Sequence, residues 1–125
     1  MTPPSAEVIA KQIRLDYQTT RDAIVDEVNA KIGSVEAQAH ASLVVCHEEF
    51  MGVTAYVRRG YLAGEIDGEA ARLAIEIERE KANAKRAAII EVRMARLGEI
   101  DRWGRLALDS AKEVYRTAIG DPTAA

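Results

Sequence analysis

The sequence predicts an all-α fold: an elongated helical bundle of three long helices, the last breakable near Gly98 into a fourth, in a single helical domain over residues 1–125. Three observations carry this expectation. Apolar residues recur at three- and four-residue spacings from Ile9 to Val114, the period of an α-helix and not of a strand. The three prolines stand at positions 3, 4 and 122, which leaves the whole interior free of helix breakers. Of the 48% hydrophobic residues, 22 are alanine and only 6 are aromatic, a composition suited to helices that approach closely.

The first helix is expected over 5–32. Thr2-Pro3-Pro4-Ser5 offers Thr2 or Ser5 as N-cap, with proline tolerated in a first turn. Its apolar stripe is Ile9, Ile13, Tyr17, Thr20, Ile24, Val28 and Ile32. The mean spacing exceeds 3.6, so this stripe should wind slowly around the helix in a right-handed sense. Leu15 and Val25 fall off it and suggest a second contact surface.

Gly33-Ser34 reads as a stop and restart, glycine closing one helix and serine capping the next, and a connection this short joins antiparallel neighbours. The second helix, 34–64, carries Ala39, Leu43, Cys46, Phe50, Val53 and Val57 in four-three alternation, the best coiled-coil heptad seam in the chain. Phe50 and Val53 are therefore expected in the core.

After a turn at Gly64-Glu65-Ile66-Asp67-Gly68, with Asp67 as N-cap and Ile66 placed as a hydrophobic staple, the third helix runs over 68–119. Ala70, Ala74, Ile77, Ala84, Ala88, Val92, Ala95, Trp103, Leu106 and Val114 keep one helical register. Ile90, Met94, Leu97, Leu108, Ala111 and Tyr115 lie on a neighbouring face. Leu97-Gly98 could close a helix and Asp101 open another. Ile119-Gly120-Asp121-Pro122 marks the end.

Chemistry is sparse. His40 and His47 share a helix face but stand seven residues, about 10 Å, apart along the axis, too far for both to ligate one ion. The Glu-x-x-His pairs of di-iron bundles are absent. Cys46, the single cysteine, has no intramolecular disulfide partner, and its seam position makes it a small buried hydrophobe rather than a nucleophile. No Ser-His-Asp elbow, phosphate-cradling loop or carboxylate pair can be made out, so no catalytic residue, metal or cofactor is expected.

The net charge is −3 with 30% charged residues, which argues against a dedicated nucleic-acid binder. Within 79–105, however, eight Lys or Arg face four Asp or Glu, and Arg79, Arg86 and Arg93 recur every seven residues. The start lacks the basic and apolar regions of a signal peptide, and no run approaches the ~18 apolar residues of a membrane span, so a cytoplasmic protein is expected.

More apolar faces are written into these helices than 125 residues can cover. The expected function is accordingly that of a non-enzymatic structural or assembly protein, which forms a homo-oligomer or docks on a larger multi-subunit apparatus through apolar helix seams. Met94, Leu97, Trp103 and Leu108 are the expected contact, with Arg86, Arg93 and Arg96 on its rim. The alternatives are a small inhibitor or adaptor, or a nucleic-acid-associated regulator using the Arg79-Arg86-Arg93 row.

Overall fold

The computed structural model describes residues 3–120, an all-α chain with no strand among them. It has two helices where the sequence predicts three or four: α1, Ala6–Leu62, and α2, Gly68–Ile119. The start of α1 is capped by Ser5, whose Oγ accepts from the Val8 amide at 3.3 Å and whose carbonyl accepts from Ile9 at 3.1 Å. Thr2, the other candidate cap, lies outside the described residues, as do Asp121 and Pro122.

The expected breaks at Gly33-Ser34 and Gly98 are not made. Both glycines sit inside continuous helix, and among the described residues positive φ occurs only at Gly64 and Gly120. A break would strand up to four amides and four carbonyls at each new end. A glycine inside a helix costs only about 1 kcal/mol relative to alanine. Without a loop to satisfy the stranded groups, continuing is the cheaper course, and the antiparallel pairing expected of 5–32 with 34–64 does not form.

The turn at 63–67 shows what a real stop requires. Gly64 takes φ 75°, its amide donates to the Tyr61 carbonyl at 3.0 Å, and the Glu65 amide donates to Gly60 at 2.9 Å. This is a Schellman closure, in which a left-handed residue lets the chain fold back on the last carbonyls. Asp67 then opens α2 by accepting from the Ala70 amide at 2.7 Å. Half-buried Ile66 lies over the end of α1, 3.7 Å from where a Cβ on Gly60 would stand.

Contacts gather into two compact units, each built from one stretch of α1 against one stretch of α2: Ser34–Arg96, and Met1–Gly33 with Leu97–Ala125. In the 34–96 unit, Val35, Ala39, Cys46 and Thr54 of α1 are buried, together with Ala71 and Ala82 of α2. The Cys46 thiol donates to the Ala82 carbonyl at 3.6 Å. In the other unit Ala111 and Gly104 are buried, Tyr17 stacks on Tyr115 with centroids 4.9 Å apart, and the Lys31 ammonium lies 3.8 Å from the Trp103 ring centre.

The packed positions repeat every eleven residues and not every seven. In the 34–96 unit they are Val35, Cys46 and Val57 on α1 and Ala71, Ala82 and Arg93 on α2. Ile13 and Ile24, and Gly104 and Tyr115, keep the same step in the other unit. Eleven residues fill three turns at 3.67 per turn, so a heptad seam drifts off such a face. This explains one misplaced core residue: Val53 is 38% exposed, and its neighbour Thr54, at 3%, occupies the packed position. The Thr54 hydroxyl is satisfied by the Phe50 carbonyl at 2.7 Å, and Phe50 itself is half-buried.

Candidate partner-binding surface

The fully buried positions of α2 are small residues, and several of its larger aliphatic ones are exposed. Ala71, Ala82 and Ala111 are its buried hydrophobic positions, whereas Leu73, Ile77, Ile90, Val92, Met94, Leu106 and Val114 are each 46% exposed or more. Close helix approach selects for small side chains, as Gly104 shows: a Cβ there would stand 2.9 Å from Val28 Cγ2. Of the register read from the sequence as the main apolar stripe of this helix, Ile77, Val92, Leu106 and Val114 are exposed, whereas Ala74 and Trp103 are half-buried.

The seven residues expected at a partner contact are divided between the units. In the 34–96 unit, Met94 is 62% exposed, Arg86 and Arg93 are half-buried, Arg93 against Glu36 of α1, and Arg96 is exposed. In the other unit Leu97, Trp103 and Leu108 are half-buried on the packed side of α2, with Trp103 covered by the Lys31 ammonium. Met94 and Arg96 are therefore the most accessible of the set. Sequence reasoning passed over Leu106 and Val114 as contact residues, although both stand in the outward register.

The basic row is largely engaged within the chain. Arg93 makes a bidentate pair with Glu36, its Nε 3.1 and 3.0 Å from the two carboxylate oxygens and its Nη2 2.8 Å from Oε1. Those hydrogen bonds hold the Glu36 carboxyl below the usual carboxylate range and push the Arg93 guanidinium up. Lys85 donates to Glu49 at 3.0 Å, which raises the lysine above its ordinary value. Lys81 and Arg105 pair with Glu78 and Asp101 on their own helix, Arg86 donates to Asn83, and Arg96 to Gln38. Six of the eight basic side chains between 79 and 105 thus have an acceptor at hand. Arg79 is exposed while Arg86 and Arg93 are half-buried, because a seven-residue row crosses a face that repeats every eleven.

On one side of the 34–96 unit two open grooves of about 590 and 510 Å³ share Ala41, Ser42, Ala88 and Ile89 and form one trough. Val45 and Val92 contribute apolar walls, Glu49 and Lys85 stand at one end, and Arg93 and Arg96 at the other. In the other unit a groove of about 500 Å³ runs beside Tyr17, Ala107, Ala111 and Tyr115. Cys46 is buried, and His40 and His47 are exposed. Among the described residues no group of three His, Cys, Asp or Glu side chains is arranged to hold a metal ion, and no helix is long and apolar enough to cross a membrane.

No family model, curated protein or solved structure matches the chain. The surface itself therefore has to carry the functional reading.

Proposed function

We propose that this chain is a non-enzymatic structural or assembly protein of the cytoplasm, which acts by covering its outward apolar faces with further helices, its own or those of a larger apparatus. The observation that carries the proposal is what α2 turns outward: its buried hydrophobic positions are Ala71, Ala82 and Ala111, whereas Ile77, Val92, Leu106 and Val114 are 51–70% exposed. A helix that met only water on that side would gain nothing from aliphatic residues at helical spacing, whereas scattered single exposed residues would need no explanation. On this reading the three- or four-helix bundle expected from the sequence is completed between chains.

The proposal is tested by thermal unfolding of the purified chain over ~1 to ~100 µM, together with binding of an apolar fluorescent dye. An assembly protein melts at a temperature that rises with its own or its partner's concentration, or binds dye while it is uncovered. A chain whose melting temperature is independent of concentration and which binds no dye would refute the proposal.

A further inference from the structure

We infer that the trough on the 34–96 unit is the seat of a second copy of this chain, which packs there about a two-fold axis parallel to the helices and completes a four-helix bundle. The inference rests on the assembly reading above and names its partner and its site.

The first argument is exposure. Val45 and Val92, which line the trough, are each 53% exposed. Helices of a second copy seated in the trough would take both out of water.

The second argument is shape. The stretch common to both grooves is lined by Ala41, Ser42 and Ala88, small enough to admit the ridge of another helix, with Ile89 half-buried among them, and Val45 and Val92 add to its apolar lining. The lining of α1 from Val35 to Glu49 extends about 20 Å at helical rise. One eleven-residue step further along the same faces stand Val53 and Tyr56 on α1 and Ile77 on α2, which are 38%, 73% and 51% exposed. The apolar surface therefore continues beyond the trough along both helices of the unit.

The third argument is charge. Glu49 and Lys85 lie at the same level of the trough, 3.0 Å apart and each more than half exposed. A two-fold axis along the helices sets α1 of one copy against α2 of the other. That brings Glu49 beside Lys85 of the second copy, and Lys85 beside its Glu49. Each helix then has antiparallel neighbours on both sides, the arrangement of up-down bundles. A two-fold axis across the helices would set α1 against α1 and forgo this pairing.

Sedimentation equilibrium of the full chain and of single variants tests the inference. The wild-type chain should be a dimer at ~10 µM, and Val92→Glu, which places a charge on the trough wall, should weaken it by ~100-fold or more while helicity by circular dichroism is retained. Met94→Glu, on an exposed residue outside the trough, should leave dimerisation unchanged. Glu49→Lys and Lys85→Glu should each weaken the homodimer, and an equimolar mixture of the two variants should form heterodimers. A charge pair confined within one chain would not produce that rescue. A dimer broken by Met94→Glu and untouched by Val92→Glu overturns the site and leaves the assembly reading intact. A monomer at every concentration overturns the inference; if that monomer also binds no apolar dye, the assembly reading falls with it.

Discussion

The two units of the chain are made from the same two helices yet hold together differently. The 34–96 unit contains five of the six buried hydrophobic residues, Val35, Ala39, Cys46, Ala71 and Ala82, and cross-links its helices with the Glu36–Arg93 and Glu49–Lys85 pairs. The unit formed by the ends of the chain buries Ala111 and Gly104 and relies on Tyr17 against Tyr115 and Lys31 over Trp103. Small residues let backbones approach and bury each other, and stacked tyrosines hold the helices through their rings; grooves open beside both kinds of contact.

The largest expected effect tests this contrast by adding the same volume to both units. Ala82→Leu places three extra carbons beside Cys46, where the helices are in contact, and should destabilise by about 1–3 kcal/mol through overpacking. Ala111→Leu faces the groove beside Tyr17 and Tyr115 and has space to enter, so its cost should stay below about 1 kcal/mol. Urea midpoints measure both. Equal losses would show that the two interfaces are packed alike.

A smaller and signed effect comes from the glycines. Gly104→Ala would put a methyl 2.9 Å from Val28 Cγ2, and β-branched valine in a helix has one strongly preferred rotamer, so the neighbour cannot swing away. The gain of about 1 kcal/mol in helix propensity should be outweighed by strain, for a net loss on the order of 1 kcal/mol. Gly33→Ala and Gly98→Ala meet nothing within 4 Å and should each stabilise by about 0.5–1 kcal/mol. If Gly98→Ala destabilised instead, α2 would be bent or broken there in solution.

These glycines also mark what was legible in the sequence. Helix content, the turn around Gly64 and the caps Ser5 and Asp67 could be read, because cap chemistry is local and periodicity is long. Gly33-Ser34 and Leu97-Gly98 carry the same two-residue signals, but neither is followed by a loop that could satisfy the opened carbonyls, and continuity prevailed. The packed face of α2 was hidden for another reason. The main register drawn through Ile77, Val92, Leu106 and Val114 leaves out Ala71, Ala82 and Gly104, the small positions that close approach selects, and puts Ala111 on the neighbouring face. The expected partner set spans both situations: Met94 is exposed, while Leu97 and Leu108 lie half-buried on the packed side.

Lys31 gives a still smaller effect, specific to the unit of the chain ends. Its ammonium sits 3.8 Å from the Trp103 ring centre and 3.5 Å from Glu27. Lys31→Ala should remove about 0.5–1 kcal/mol of cation–π attraction and a few tenths from the helix pair. Trp103 is the single tryptophan, so its fluorescence should shift to the red on that substitution and on no change at Glu36 or Arg93. An unshifted spectrum would show that the lysine does not cover the ring.

The smallest effect belongs to the ion pairs of the 34–96 unit, which are 36–60% exposed at their side chains and correspondingly weak. Hydrogen bonds from Arg93 lower the Glu36 carboxyl, so the unfolded chain takes up that proton at higher pH than the folded one. Its contribution is therefore present above the ordinary carboxylate range and disappears as pH falls through the lowered value. Lys85 behaves in the opposite sense. Raised by Glu49, it contributes below the ordinary lysine value, and the gain is lost as pH rises through the raised one. Glu36→Gln should thus melt slightly below the wild type near pH ~7, with the difference closing as pH falls through the lowered Glu36 value, below which both chains carry a neutral side chain at position 36. High salt should shrink the same difference, since the pair is exposed to screening. A gap that persists unchanged at low pH would mean that Glu36 acts through packing and not through its charge.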